Sequence, residues 1–350
     1  MNILLIGYYG YRNLGDDLML NGFSKFLESN TSIDKVTIPA KECYYKFQST
    51  KISQVYLPKS YKEWLRIIKA NDLIIWGGGT CLYSNPGLNW LLIISCITFL
   101  LGKKLLFIGI GVDYPQSIFD KIKIKTILNI SNKIGVRDPK SLDNCIFKYN
   151  LKENKIYSID DLAYLSLNPK NLSAHTFHNP PKKISFSGHY EFISKKTINF
   201  YTSLLVSLLN QNTELELHFL PAHGGQFSDD NQHTLIYNKI PDNLKNRVIL
   251  HRNLSPEEFV ETLSFMDFHI GFRLHSIFLS KNLSIPFIAI NYAPKVESYV
   301  KSVNGDFINL HVPFGLELIN SIQRKKDKVD LNIAQKQQYI YDMLSKIIFS

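Results

Sequence analysis

Short apolar runs alternate with longer amphipathic stretches along the chain, and that alternation predicts its architecture. Residues 2–6 (NILLI) are apolar after Asn2, the pattern of a strand buried on both faces. A loop rich in Gly, Asn and Asp follows, then helical spacing over 17–27. Further buried strands are predicted at 73–76, ending in Gly77-Gly78-Gly79, and at 105–110, ending in Gly109-Ile110-Gly111. Shorter ones are expected at 134–136 and 156–159. Strands alternating with helices imply a parallel sheet with helices on both faces. Asn, Pro, Ser and His accumulate over 168–181, a linker composition.

The alternation then restarts. Strands are expected at 183–187, 214–220, 268–271 and 286–290, and helices at 197–209, 255–265 and 274–281, with helical periodicity over 331–347. Ser255-Pro256-Glu257-Glu258 reads as a capping box with proline at the first helical position. The predicted fold class is α/β: two Rossmann-like doubly wound domains facing a cleft. They cover residues 1–170 and 180–350, the second including the C-terminal helix. Ligands of such sheets bind at the carboxyl ends of the strands. The apolar run 88–101 is shorter than the ~20 residues a membrane span needs, so a buried helix is expected there, with a membrane-dipping helix as the alternative.

Composition narrows the partners. In 350 residues, 45% hydrophobic and 20% charged, a disordered or fibrous chain is not expected. The net charge of +10 favours an anionic partner: a phosphorylated small molecule, an acidic membrane surface or nucleic acid. The lysines are scattered, densest at Lys121–Lys125 and from Arg324 to Lys328, with no RNA-recognition signature, zinc-finger spacing or basic arm. Nucleic acid is therefore not an expected partner. Cys43, Cys81, Cys96 and Cys145 form no Cys-x-x-Cys pair, which suits a reducing compartment and gives no zinc site. The first residues lack a basic leader, and their apolar run stops at Gly7, so they do not read as a signal peptide.

Candidate chemistry gathers at strand ends. The loop Gly7–Asp17 lets backbone approach a ligand, with Asn13, Gly15 and Asp16 as cleft candidates or as a turn and helix cap. Gly78 and Gly79 imply a close approach to the backbone, or a tight strand-to-helix turn. Arg137 could hold a carboxylate or phosphate, or pair with Asp138 or Asp161. Asp161 could cap the short helix that follows it. Gly271-Phe-Arg-Leu-His-Ser276 joins a strand to a helix start, where backbone N–H groups and the helix dipole favour an anion. Arg273 adds a guanidinium, Ser276 a hydroxyl, and His275 an imidazole able to move a proton. Tyr292 and Lys295 follow the next strand, and His189 and His223 stand at two other strand ends. Gly-x-Ser-x-Gly and His-Glu-x-x-His are absent from the sequence, so serine and zinc hydrolase chemistry are unsupported.

Taken together, these residues resemble the polysaccharide pyruvyl transferase family. The matching pieces run in the family's order: the Asn13-x-Gly15-Asp16 loop, Gly77–Gly79, Gly109-Ile-Gly111, Arg137-Asp138 with Ser141, Asp161 before Ala163, Arg273-Leu-His-Ser276, and Tyr292 with Lys295. Arg12 stands where the family commonly has a small residue, and Asp17 where Glu is common. Ser187-Gly-His-Tyr190 falls where many members place an arginine; if that arginine helps hold phosphate, either His189 substitutes for it or the donor's pose differs. The resemblance implies a glycosyltransferase-B-like architecture, with the first domain on the acceptor side and the second on the donor side. It implies transfer of a pyruvyl group from phosphoenolpyruvate, as donor substrate and without a cofactor or metal. The acceptor would be a lipid-linked glycan precursor of a cell-surface polysaccharide, met in the cytoplasm at the inner membrane face, and the product a cyclic ketal. On this view His275, with Asp16 or Asp161, moves protons, while Arg137, Arg273 and Lys295 hold the donor's anionic groups. A nucleotide-sugar glycosyltransferase and a non-catalytic glycan-binding protein on the same fold stay open as alternatives.

Overall fold

The computed structural model describes residues 1–47, 49–167, 178–225, 228–324 and 333–350. The chain divides into two compact units. Unit 1 is Met1–Tyr11, Asp16–Leu167 and Asn332–Ser350; unit 2 is Arg12–Gly15 and Asn168–Leu331.

In unit 1, eight strands form one parallel sheet. They are β1 (Asn2–Ile6), β2 (Lys35–Ala40), β3 (Ile52–Tyr56), β4 (Leu73–Gly77), β5 (Thr80–Leu82), β6 (Lys104–Val112), β7 (Lys133–Val136) and β8 (Ile156–Ser158). Their order is β3-β2-β1-β4-β6-β7-β8, with β5 paired to the end of β6. The order reverses direction between β1 and β4, so the loops after these two strands flank a topological switch point. Beyond their first residues, Asn2 of β1 and Lys104 of β6, the central strands are apolar because both faces are covered. Leu4, Ile74 and Phe107 join a core with Ile68, Ile94 and Ile127 of helices Tyr61–Lys69, Leu88–Leu100 and Ile118–Ile130. Their neighbours Leu5, Ile75 and Leu106 are also buried, on the opposite face. Gly109, at φ +66°, occupies an irregularity in the β6–β7 register, and the Leu162 side chain lies where its Cβ would be.

In unit 2, six parallel strands run in the order β11-β10-β9-β12-β13-β14. They are β9 (Lys183–Ser187), β10 (Glu216–Phe219), β11 (Val248–Leu250), β12 (Phe268–Gly271), β13 (Phe287–Asn291) and β14 (Asp306–Asn309). The switch point lies between β9 and β12, which pair Ser187 with Gly271 at their carboxyl ends. Successive residues of β13 divide between two cores. Ile288 and Ile290 join Leu205 and Ile319, while Phe287 and Ala289 join Val296 and Val300. Helices therefore cover both faces of this sheet too. The α/β class of parallel, doubly wound sheets expected from the sequence is the one observed.

Three expectations need correction. The C-terminal helix, Ile333–Phe349, packs on unit 1 rather than with the second domain. Tyr341 meets Phe26 edge-on at 5.3 Å, and the Gln337 amide donates to the carbonyls of Tyr164 and Leu167. Residues 12–15 belong to unit 2 although they lie in the first loop. The helix Leu88–Leu100 is only half buried: Leu88, Leu91, Ile94, Ser95 and Thr98 face the core, while Phe99 and Leu100 are exposed. The linker at 168–181 and the basic cluster beyond Arg324 lie largely outside the described residues.

Candidate functional site

In unit 2 the predicted residues gather at the carboxyl ends of β9, β12 and β13. Gly271-Phe272-Arg273 leaves β12 and enters the helix Leu274–Asn282, whose N-cap residue, Arg273, makes no side-chain cap hydrogen bond. The neighbouring helix Pro294–Ser302, after β13, also lacks a side-chain cap at Ala293. The helices that follow β9 and β11 differ, because Ser194 and Ser255 cap them. Two helix starts at the adjacent strands β12 and β13 therefore lack side-chain caps, as does the helix Asp230–Tyr237 after β10, and each leaves first-turn N–H groups and a positive dipole end at the carboxyl edge of the sheet. Lys295 stands exposed in the first turn of the second helix.

Arg273 does not stand alone as a cation. Its Nε donates to Asp229 Oδ2 at 3.2 Å and its Nη2 to Oδ1 at 2.6 Å, a two-point pair with a fully buried carboxylate. Burial pushes the Asp229 carboxyl pKa up, and the guanidinium pulls against it. Its ring-face neighbour is Tyr190, 5.0 Å from the guanidinium carbon to the ring centre. The guanidinium plane is thus fixed before any ligand arrives.

The loop after β9, a common phosphate cradle in this fold class, is already occupied by the protein itself. Three successive N–H groups donate to side chains 40 residues on: Gly188 to His233 Nε2 at 2.9 Å, His189 to Gln232 Oε1 at 2.9 Å, and Tyr190 to Asp229 Oδ1 at 3.0 Å. His189 is buried, and desolvation with the nearby charges of Arg273 and Lys295 holds its pKa down to about 3. It is neutral near pH 7 and cannot take over an arginine's charge. Its ring packs instead on Tyr292, 4.8 Å between centroids. Burial raises the Tyr292 pKa to about 12, so that hydroxyl stays protonated.

Ser276, expected to face a ligand, is fully buried. Its hydroxyl donates to the Arg273 carbonyl at 2.9 Å and lies 3.0 Å from Nε2 of His269, whose Nδ1 is 2.8 Å from the Ser185 hydroxyl. Gly271 is required there: a Cβ would lie 2.6 Å from His269 Nε2. Ser276 therefore shapes the helix start from beneath.

The first loop completes this end of unit 2. Asn13 pairs with His223 in an isolated antiparallel bridge, Leu14 N–H donates to Ala222 C=O, and Gly224 N–H donates to Arg12 C=O. His223 lies 3.0 Å by its Nδ1 from the Gly224 carbonyl and meets the Tyr190 ring edge-on. Arg12 has φ +56°, a left-handed conformation that glycine adopts without strain. Gly15 lies against His275: a Cβ would fall 1.9 Å from the imidazole Nδ1.

In unit 1 the other candidates surround its own switch point. Gly78 and Gly79, at φ +75° and +76°, are approached by the protein's side chains, Met19 Sδ over the first and Asp16 Oδ1 over the second. Tyr9 donates its hydroxyl to the Gly77 carbonyl at 2.6 Å. Asp17 accepts from Tyr44. Tyr8 and Tyr11 stack at 3.9 Å with nearly parallel rings, and Tyr8 is exposed. Arg137 lies between two acids, 3.6 Å from Asp138 and 3.8 Å from Asp161. Asp161 also caps the following 3-10 helix through the Ala163 N–H at 2.9 Å. The salt-bridge and capping alternatives for these two residues are thus the observed ones.

Sequence reasoning missed Asp229, Gln232 and His233. They lie in a polar stretch with no strand or motif to mark them, and only the fold carries Asp229 to Arg273, 44 residues away.

Comparison with known proteins follows the same lines. No curated protein matches the chain in sequence. Among solved structures, UDP-GlcNAc 2-epimerase from Methanocaldococcus jannaschii is similar at TM-score 0.67 and 12% identity, over 99% of this chain and 100% of that one. The Neisseria meningitidis UDP-GlcNAc 2-epimerase bound to UDP-GlcNAc is similar at TM-score 0.62 and 13% identity, over 99% and 100%. The Rickettsia bellii UDP-N-acetylglucosamine 2-epimerase follows at 0.63 and 11%, over 99% and 96%. At these identities the likeness is one of fold. The family model for polysaccharide pyruvyl transferase matches residues 13–294, from the Asn13 loop to the turn beyond Tyr292. By that match, over most of its length, the chain belongs to the polysaccharide pyruvyl transferase family.

Proposed function

We propose that this chain transfers the pyruvyl group of phosphoenolpyruvate to two hydroxyls of a sugar in a cell-surface polysaccharide precursor, forming a cyclic ketal and releasing inorganic phosphate. The observation that carries the reading is the pair of helix starts lacking side-chain caps after β12 and β13, with Arg273 held in plane beside them and Lys295 on the second. A donor carrying both phosphate and carboxylate needs such convergent positive groups. The four cysteines are unpaired thiols, which suits a cytoplasmic site of action.

The chemistry has two steps. An acceptor hydroxyl oxygen bonds to C2 of the donor and gives up its proton, while C3 gains a proton and becomes a methyl group. A second hydroxyl then replaces phosphate at C2, closing the ketal. We assign His275 to proton transfer on the donor and Asp16 to the acceptor hydroxyl. Asp161 is the weaker candidate, since its carboxylate caps a helix and lies beside Arg137. The stacked Tyr8–Tyr11 pair, beside the loop that carries Asp16, offers an aromatic face of the kind sugars pack on.

Incubation with phosphoenolpyruvate and a panel of lipid-linked or synthetic glycosides tests this. Inorganic phosphate should appear together with a pyruvyl mass gain on the glycan. A nucleoside diphosphate released from a nucleotide sugar, with no phosphate from phosphoenolpyruvate, would overturn it. A second expectation follows from packing: Gly15→Ala should push the His275 imidazole aside and cut turnover by about 10²-fold, the cost of a ~1 Å misplacement. Thermal melts of the same variant check that unit 2 still folds.

A further inference from the structure

We propose that unit 1 carries a docking surface for an anionic lipid bilayer, built by the start of the helix Ile118–Ile130, Tyr114 before it, and Phe147. Ile118, Phe119, Ile122 and Phe147 are 61%, 71%, 56% and 74% exposed. Isolated exposed apolar residues need no explanation, but a cluster of large ones does. Tyr114 brings the two segments near each other: Lys121 Nζ, on the helix, lies 4.4 Å and Lys148 Nζ, next to Phe147 in the chain, 6.0 Å from its ring centre. Residues 118 and 122 stand one turn apart, and exposed Lys125 continues their face.

The surrounding charge selects the occupant. Lys121, Lys125 and Lys148 stand on the same two segments as these apolar residues, and Asp113, Asp120 and Asp143 are the acids nearest them in sequence. Two of the acids are already engaged: Asp120 accepts from Ser84 and Lys123, and Asp113 lies 3.6 Å from Lys140. Large apolar side chains flanked by Lys121, Lys125 and Lys148 match a layer whose surface is negative and whose interior is hydrocarbon. Among the described residues, no helix is long and apolar enough to cross a membrane, so the geometry is that of docking on its face. The helix begins after β6, at the carboxyl end of the sheet, where the Gly7–Asp17 and Gly77–Gly79 loops also lie. If the transferase reading holds, a glycan carried on a lipid would reach those loops from the same surface.

Vesicle flotation of the full chain, without substrates, tests the surface. Vesicles of phosphatidylcholine with about a third phosphatidylglycerol should carry the protein, and phosphatidylcholine alone should not. Salt at 1 M, with a screening length of ~3 Å, should release it. Lys121→Gln with Lys125→Gln should weaken binding by about 25-fold, roughly five-fold per lysine. Phe119→Ser with Ile122→Asn should abolish it. Melting temperatures of both pairs should stay near that of the parent, since the altered side chains are largely exposed. Unchanged vesicle binding in both pairs would overturn the proposal. So would a dimer that the apolar pair converts to monomer while vesicle binding persists. Neither readout depends on phosphoenolpyruvate, so the surface stands or falls separately from the reaction.

Discussion

Replacing His275 by alanine is expected to lower turnover by about 10²–10⁴-fold, the range for a lost general acid or base. Donor affinity should stay nearly intact, because the positive groups that would hold phosphate and carboxylate are Arg273, Lys295 and two helix starts, none of them removed. The imidazole is in the second residue of its helix and packs on Gly15, so it could instead act as a spacer. A spacer's loss lowers melting temperature and activity together, and His275→Gln, which restores much of the volume, would rescue both. A proton-transfer group is not rescued by glutamine. Donor affinity by calorimetry, turnover by phosphate release and thermal melts on the same variants separate the two. Turnover at the parent rate in His275→Ala would sink the assignment, while the anion site at Arg273 would survive.

Asp229→Ala is expected to be the most destabilising single change at this end of unit 2. It leaves the Arg273 guanidinium, whose side chain is only 15% exposed, without its two-point partner. It also leaves the Tyr190 N–H without its acceptor. Breaking a buried pair by removing one partner costs about 3–5 kcal/mol. For a domain of this size that is a drop of about 6–20 °C in melting temperature. Asp229→Asn keeps an acceptor for Tyr190 and should recover part of the stability. Donor affinity should remain weakened in it, since the guanidinium plane is no longer held by a charge on both nitrogens. Arg273→Lys makes the complementary test. It keeps a charge beside Asp229 but loses the planar fork, so folding should be less affected than donor binding. An Asp229→Ala protein with parent-like melting would show that Arg273 finds solvent or another acceptor.

The alternation of apolar runs was enough to place the central strands of both units. A strand buried on both faces is apolar along most of its length, as 3–6 and 73–76 are, while 183–187 (KISFS) keeps Ile184 and Phe186 for one core and buries the Ser185 and Ser187 hydroxyls in hydrogen bonds. The outer strands were illegible for the same reason. β3 (ISQVY) and β14 (DFIN) have mixed, partly exposed residues, and their pairing rather than their composition makes them strands. The capping box at Ser255 was legible because its hydrogen bonds are local, between residues three apart.

The candidate site divides along the same line. Residue types and spacing brought out Arg273, His275, Tyr292 and Lys295, since a strand–helix junction is a local object whose dipole and backbone geometry follow from the chain itself. What each side chain touches was decided elsewhere. Arg273 is locked by Asp229, Arg137 lies between two acids, and Ser276 is buried beneath its helix. The loop after β9 spends three N–H groups on side chains of residues 229, 232 and 233. Those partners lie some 40 residues apart in sequence, and no periodicity links them. The sequence by itself determined the central strands and the helix starts beside them, because burial and backbone hydrogen bonding act on each segment's own pattern. Only the tertiary structure decided which cations are already held by a carboxylate and which helix starts lack a side-chain cap, because charge pairing depends on distance in space and not along the chain.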